Sequence, residues 1–166
     1  MARVLYLMRH AKSSWKKPLP DHDRPLSKRG KRAAVAIGEE LARLGVRPER
    51  VISSTAKRAR STARRVMKAL EEPREILRLE PELYGADAAE ILDLIRRLDD
   101  GERSVLLVGH NPAVSDTAVL LSGERRLDWL PTGAVAGIRF DVDSWRDVAP
   151  GSGRLILELR PRELEG

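Results

Sequence analysis

Two of the chain's three histidines stand directly beyond apolar runs of strand length. His10 follows residues 4–8 and Arg9, and His110 follows residues 105–108 and Gly109. Ligands of open α/β sheets gather beyond the carboxyl ends of the strands, so matching positions after two strands bring both imidazoles to one sheet edge. An imidazole, with an ordinary pKa of ~6.5, offers an unprotonated ring nitrogen near neutral pH, which suits it as nucleophile or base. Taken singly, each histidine reads better as a satisfied boundary residue; two in equivalent places point to a site. Arg9 reads either as a strand-end side chain snorkelling to solvent or as a fixed cation beside His10. A third junction, ISSTAKRAR, sets Arg58 and Arg60 in the first turns of a helix. That end already carries free N–H groups and a positive dipole, so a cation there calls for an anion such as phosphate. Arg60, Arg64 and Arg65 read as an exposed helix face.

Much other chemistry is excluded. The 166 residues contain no cysteine, which removes disulfides, thiolate metal sites and a cysteine nucleophile. No triphosphate-binding loop, dinucleotide fingerprint or serine elbow occurs. Asp21, His22 and Asp23 are adjacent, but consecutive residues rarely ligate one ion, and no paired-histidine metal motif exists. That segment reads as charged loop, and no metal or cofactor is expected. The 31 Lys and Arg against 25 Asp and Glu give a net charge of +6. An aromatic share of 4% leaves few stacking platforms for nucleic acid, which is not an expected partner. No apolar run is long enough to span a bilayer, and membrane is not an expected partner either. The opening MARVLYLMRH lacks the long apolar core and cleavage site of a secretion signal and reads as a first strand, with cytoplasmic residence as the default.

The elements that must position these residues follow from periodicity. After the strand at residues 3–8, the polar segment at 12–26 reads as a loop over the sheet end. Ser27 is an N-cap for a helix to about Leu44, with Ala34, Ile37, Leu41 and Leu44 on one face and Gly45 as its stop. A short strand at 50–53 leads to a helix whose apolar face is Ala59, Ala63, Val66, Met67 and Leu70, ended by Pro73. A weaker strand is expected at 76–79. Asp87 and Glu90 have capping-box spacing for a helix facing inward through Ile91, Leu92, Ile95 and Leu98. SVLLVG reads as a strand buried on both faces. Asn111 and Pro112 are cap and first-turn residues for a helix ending near Gly123. AVAGIRFDV and RLILELR read as a strand hairpin. The alternation predicts one domain over 1–166, a three-layer α/β/α sandwich with a mostly parallel central sheet and an antiparallel edge.

LMRHAKSSW, SSTAKRARSTA, PELYGAD and VGHNP, in this order, resemble the histidine phosphatase superfamily, whose fold is phosphoglycerate mutase-like. DHDRPLSKRG is similar to the small SixA-type phosphohistidine phosphatases. The similarity runs from Arg3 to about Gly123. It implies metal-independent phosphatase activity through a phosphohistidine intermediate, on a phosphohistidine-bearing protein or a small phosphomonoester. Carried over by motif, His10 would be the nucleophile, and Arg9, Arg58 and a protonated or hydrogen-donating His110 would hold the phosphate. Arg24 would lie at the rim, and Glu82 would be a proton donor. Ala11 stands where the wider family has glycine, and the long insertions of phosphoglycerate mutases are missing, which turns the expectation away from mutase activity. The alternatives are a broad small-molecule phosphomonoesterase using Glu82 as general acid, and a non-catalytic domain that binds phosphorylated ligands. Oligomeric state is not written in the sequence.

Overall fold

The structure, a computed structural model, describes residues 2–164. Its centre is a sheet of six strands: β1 (Arg3–Arg9), β2 (Arg50–Ser53), β3 (Leu77–Leu79), β4 (Ser104–Gly109), β5 (Val135–Phe140) and β6 (Arg154–Leu159). The spatial order is β3-β2-β4-β1-β5-β6. The first four in that order run parallel, and β5 and β6 are antiparallel to their neighbours. The expected sandwich, its parallel centre and its antiparallel edge are all present.

Alternation along the two central strands explains the layers. Leu5 and Leu7 of β1, with Val105 and Leu107 of β4, face one apolar cluster, while Tyr6, Met8, Leu106 and Val108 face another. Strands with apolar residues on both faces must be covered on both. Helices α3 (Ala88–Arg96) and α4 (Ala113–Ser122) cover the first face through Ile91, Ile95, Val114 and Leu121. Helices α1 (Lys28–Arg43) and α2 (Lys57–Ala69) cover the second through Ile37, Leu41, Val66 and Met67. Fully burying one such side chain is worth roughly 1.5–3 kcal/mol. Gly38 lets α1 and α2 close together, since a Cβ there would lie 2.7 Å from the Ala69 Cβ. A final short helix, α5, spans Pro161–Leu164.

Local signals behave as their chemistry dictates. The Ser27 hydroxyl accepts from the Gly30 N–H at 3.0 Å and caps α1. Asp87 and Glu90 form the reciprocal capping box of α3. Gly123, at φ +74°, ends α4. Two boundaries shift. β3 begins at Leu77, because residues 74–76 make a 3-10 turn after Pro73. α4 has Pro112 at its cap position, and Asn111 acts from one residue further out, its Oδ1 accepting from the Ser115 N–H at 3.1 Å. No helix among the described residues is long and apolar enough to cross a membrane.

Candidate active site

Register brings the two histidines together. β1 and β4 are parallel neighbours with Arg9 opposite Gly109, so His10 and His110 each lie one residue beyond a paired position. The His10 N–H donates to the Gly109 carbonyl at 3.0 Å, and the two ring centroids are 5.2 Å apart. β2 flanks β4 on the other side, and the Ser54 N–H donates to Val108 O, which sets Ser54 beside His110. The following turn starts α2 and delivers Arg58. Two imidazoles from distant parts of the chain thus share one corner with a guanidinium.

Tautomers follow from the partners. His10 Nδ1 lies 2.7 Å from the Ala11 carbonyl oxygen. A carbonyl can only accept, so the ring proton is on Nδ1 and Nε2 keeps its lone pair. Burial is the main reason the His10 pKa falls to about 3, with His110, Arg58 and Arg9 adding to it. His110 Nε2 is 2.8 Å from Ser54 Oγ, whereas its Nδ1 is shielded from solvent and has no partner in the protein. A Ser54 hydroxyl that donates to Nε2 leaves the proton on Nδ1, a donor awaiting an acceptor. Burial, then Arg58, lowers the His110 pKa to about 4. His110 is therefore neutral in the free protein near pH 7, with its lowered pKa.

Arg58 is buried, with 7% exposure, and it is already engaged. Its Nη1 donates to the Asp21 carbonyl at 2.7 Å and its Nη2 to Asp21 Oδ2 at 2.9 Å. Asp21 sits in the 3-10 turn Asp21–Asp23, and it supplies the anion that the α2 N-terminus calls for. A guanidinium has five N–H donors, and Asp21 takes two of them. The Asp21 carboxyl is held well below the usual range, first by the Tyr84 hydroxyl that donates to Oδ2 at 2.7 Å, then by Arg58 and Arg24. Arg24, also buried, donates to Asp21 Oδ1 at 3.1 Å and to the Ser13 hydroxyl, and it lies over the Trp15 ring. It props up the loop and Asp21, which in turn orients Arg58.

Thr62 joins the two halves of the corner. Its hydroxyl donates to the Arg58 carbonyl at 2.7 Å and accepts from the Ala11 N–H at 3.0 Å. Arg9 is anchored from a third side, its Nη1 donating to Leu130 O at 3.1 Å and its guanidinium 5.3 Å from the Trp129 ring centre. Ala11 is fully buried against Leu26 and Ala34, without the positive φ that would demand glycine. Gly30 is needed instead: a Cβ there would lie 2.0 Å from the Lys12 carbonyl oxygen, where α1 abuts the His10 loop.

Glu82 is engaged with Arg97. It belongs to the 3-10 turn Pro81–Leu83, and its Oε1 accepts from Arg97 Nη2 at 3.0 Å on the exposed surface. Tyr84, two residues on, is the member of that segment that reaches the site, with its ring 5.6 Å from that of His110. His22, read as charged loop, packs edge-on against Tyr84 at 4.8 Å and pairs through Nε2 with the Thr55 hydroxyl at 2.8 Å. Of the sequence candidates, His10, His110, Arg58 and Arg9 meet around the corner, Arg24 supports it, and Glu82 pairs with Arg97. Asp21, Ser54, Thr62 and Tyr84 were missed. Among the described residues no three His, Asp or Glu side chains group as a metal site would require.

Comparison with known proteins agrees with this geometry. The profile of the histidine phosphatase superfamily (branch 1) matches residues 5–87. An uncharacterized protein of Mycobacterium tuberculosis is 35% identical over 158 residues, covering 90% of this chain and 96% of its own. A structure assigned as the phosphohistidine phosphatase SixA of Nakamurella multipartitia superposes with a TM-score of 0.82 at 31% identity, covering 97% of each chain. The protein histidine phosphatase SixA complexed with tungstate gives a TM-score of 0.83 at 25% identity, covering 97% of this chain and 99% of that one. The chain belongs to the histidine phosphatase superfamily, and within it to the phosphatases of the SixA type.

Proposed function

We propose that the protein is a metal-independent phosphohistidine phosphatase, acting on a phosphorylated protein through a covalent intermediate on His10. The observation that carries this is the fixed tautomer of His10: Nδ1 is bound to Ala11 O, so Nε2 holds its lone pair beside an unpartnered His110 Nδ1. That nitrogen attacks phosphorus in line. The bond from phosphorus to the leaving atom breaks, and that atom departs with the pair. The N–H groups of Arg58 that its protein partners leave, with Arg9 and His110 Nδ1, suit the equatorial oxygens, and such positioning and charge stabilisation supply most of phosphoryl-transfer catalysis. A water then attacks from the vacated side, the N–P bond breaks, and neutral His10 returns with inorganic phosphate. The bound dianion raises the pKa of both rings and strengthens the hydrogen bond from His110.

A departing imidazole is easily protonated, so this substrate asks little of a general acid. An alcohol leaving group asks more, since such acids contribute typically ~10²–10⁴-fold. Glu82 would have to leave Arg97 to serve, which favours the phosphohistidine reading over a broad phosphomonoesterase. That the protein histidine phosphatase SixA forms a complex with tungstate, a tetrahedral oxyanion, supports a phosphate-binding corner under either reading. Incubation in EDTA with a phosphohistidine-bearing carrier protein and with p-nitrophenyl phosphate tests it. Release from the carrier is expected. Release from neither substrate defeats the catalytic claim, and phosphate-ligand binding without turnover, lost in Arg58→Ala, makes the domain a binder. Release confined to p-nitrophenyl phosphate, and lost in Glu82→Gln, moves the function to small esters.

A further inference from the structure

Helix α2 carries six cations and no acid in its thirteen residues, KRARSTARRVMKA. Arg58 serves the site; of the rest, Lys57, Arg64 and Lys68 are exposed, as their sequence suggests, and Arg60 and Arg65 are partly buried. Lys57, Arg60, Arg64, Arg65 and Lys68, with Arg74 beyond the helix, line a groove of about 860 Å³ between α2 and the edge strand β3. Its floor is apolar, from Met67, Leu77 and Leu79, the last 37% exposed.

Two features show that this charge lacks its counterpart. Elsewhere on the surface several arginines are matched, Arg43 with Glu40, Arg50 with Glu102, Arg97 with Glu82 and Arg126 with Glu158. In the groove, among the described residues, no cation is paired, although Glu72 lies at its far end, and the Nε atoms of Arg60 and Arg65 are shielded from solvent with no acceptor. The arrangement also works against the helix. Arg60, Arg64 and Lys68 follow at i, i+4 and i+8, where like charges repel, and Lys57 opposes the dipole at the N-terminus. An anion along this face would relieve both.

The groove is oriented toward the site. α2 begins at Lys57, the residue before Arg58, and β3 ends at Leu79, a few residues before Tyr84. β3 is the outermost strand, so its far side is open to an added extended chain. From Lys57 to Lys68 the helix rises ~16 Å, the length of about five extended residues. The lining has no aromatic side chain on which a base would stack.

We infer that the groove between α2 and β3 is a docking site for a short acidic, extended segment of the phosphorylated protein, which delivers its phosphohistidine to the adjoining corner. This rests on the phosphatase reading, so the test has two arms. The first is binding: fluorescence anisotropy of a labelled, unphosphorylated hexapeptide rich in Asp and Glu, beside a neutral peptide of equal length and a twelve-nucleotide single strand of DNA. The acidic peptide is expected to bind at least tenfold tighter than the neutral one at low salt. The advantage is lost at high salt and in Arg64→Glu/Lys68→Gln, which should fold normally because it turns the Arg60–Arg64 repulsion into an i,i+4 attraction and removes that between Arg64 and Lys68; far-ultraviolet dichroism checks this, and Arg64→Gln gives a milder second variant. The second arm is kinetic: phosphohistidine in an acidic peptide against the free phosphorylated amino acid. The charge reversal should raise KM about tenfold or more for the peptide and leave the free amino acid unchanged. Equal effects on both substrates, or none on the peptide, overturn the docking site. Tighter binding of the DNA than of the acidic peptide overturns the choice of partner. Absence of turnover with both substrates counts against the phosphatase reading alone, since the binding arm still decides the groove.

Discussion

His10 Nε2 can attack only while unprotonated, and its surroundings keep it so far below the ordinary histidine pKa. The prediction at this scale is spectroscopic. In the phosphate-free protein the ring resonances of His10 and His110 should stay flat from pH 8 to pH 5, because their pKa values lie at about 3 and about 4. A midpoint near 6.5 for either ring would contradict the burial argument. A second prediction concerns Thr62, whose hydroxyl serves Arg58 and Ala11 together. Thr62→Val keeps the shape and strands a buried N–H, so it should cost about 1–3 kcal/mol in urea unfolding and lower turnover. Unchanged stability and rate would make the bridge incidental. His10, His110 and Arg58 were legible in the sequence because each adjoins a strand end or a helix start. Asp21 was not, since its partner Arg58 is 37 residues away and only the loop's path joins them. Glu82 illustrates the converse: its position in the PELYG segment suggested a proton donor, but the turn sends its carboxylate to Arg97 and brings Tyr84 inward.

Among the elements, the contact between the start of α1 and the His10 loop governs the site's shape. Ser27 and Gly30 both meet Lys12, the Ser27 N–H donating to its carbonyl at 2.9 Å. Gly30→Ala would drive a methyl group into that carbonyl. Overpacking of this kind costs typically ~1–3 kcal/mol, and here the shift would also move Ala11 and His10. The variant is expected to melt earlier and to bind tungstate or phosphate more weakly; wild-type affinity in a destabilised variant would separate the loop from the site. Helix spans were readable because caps and apolar periodicity agreed at Ser27, Asp87 and Gly123. The start of α4 was less so, since Asn111 and Pro112 compete for the cap position and backbone geometry decides between them. The groove beside α2 was not legible at all. Sequence shows a cationic stripe, but only the neighbouring edge strand makes it a channel.

At the scale of the molecule, the two buried rings couple stability to pH. Their folded-state pKa values lie below the unfolded value of ~6.5, so the unfolded chain binds more protons between those limits. Stability from this source is complete above pH 6.5 and is lost as pH falls toward about 4 and then about 3, by up to ~1.4 kcal/mol per pH unit for each histidine. Unfolding free energy should therefore be lower at pH 5 than at pH 7, and His10→Gln/His110→Gln should flatten that difference. An equal slope in the double variant would assign it to other groups. The layer order was legible because both central strands are apolar on both faces. The sheet's order was not, since only the pairing of β4 between β1 and β2 brings His110 between His10 and Arg58.

The proposed chemistry requires a phosphoryl group resting on His10. Brief exposure to a phosphohistidine carrier labelled on phosphorus, an alkaline quench and peptide mass spectrometry examine that directly. The expected result is an acid-labile, alkali-stable +80 Da phosphoryl adduct (the mass of HPO₃, roughly one group per chain at saturation) on the peptide containing His10, absent in a folded His10→Ala variant. Label on another residue, or turnover that persists in His10→Ala, would contradict it.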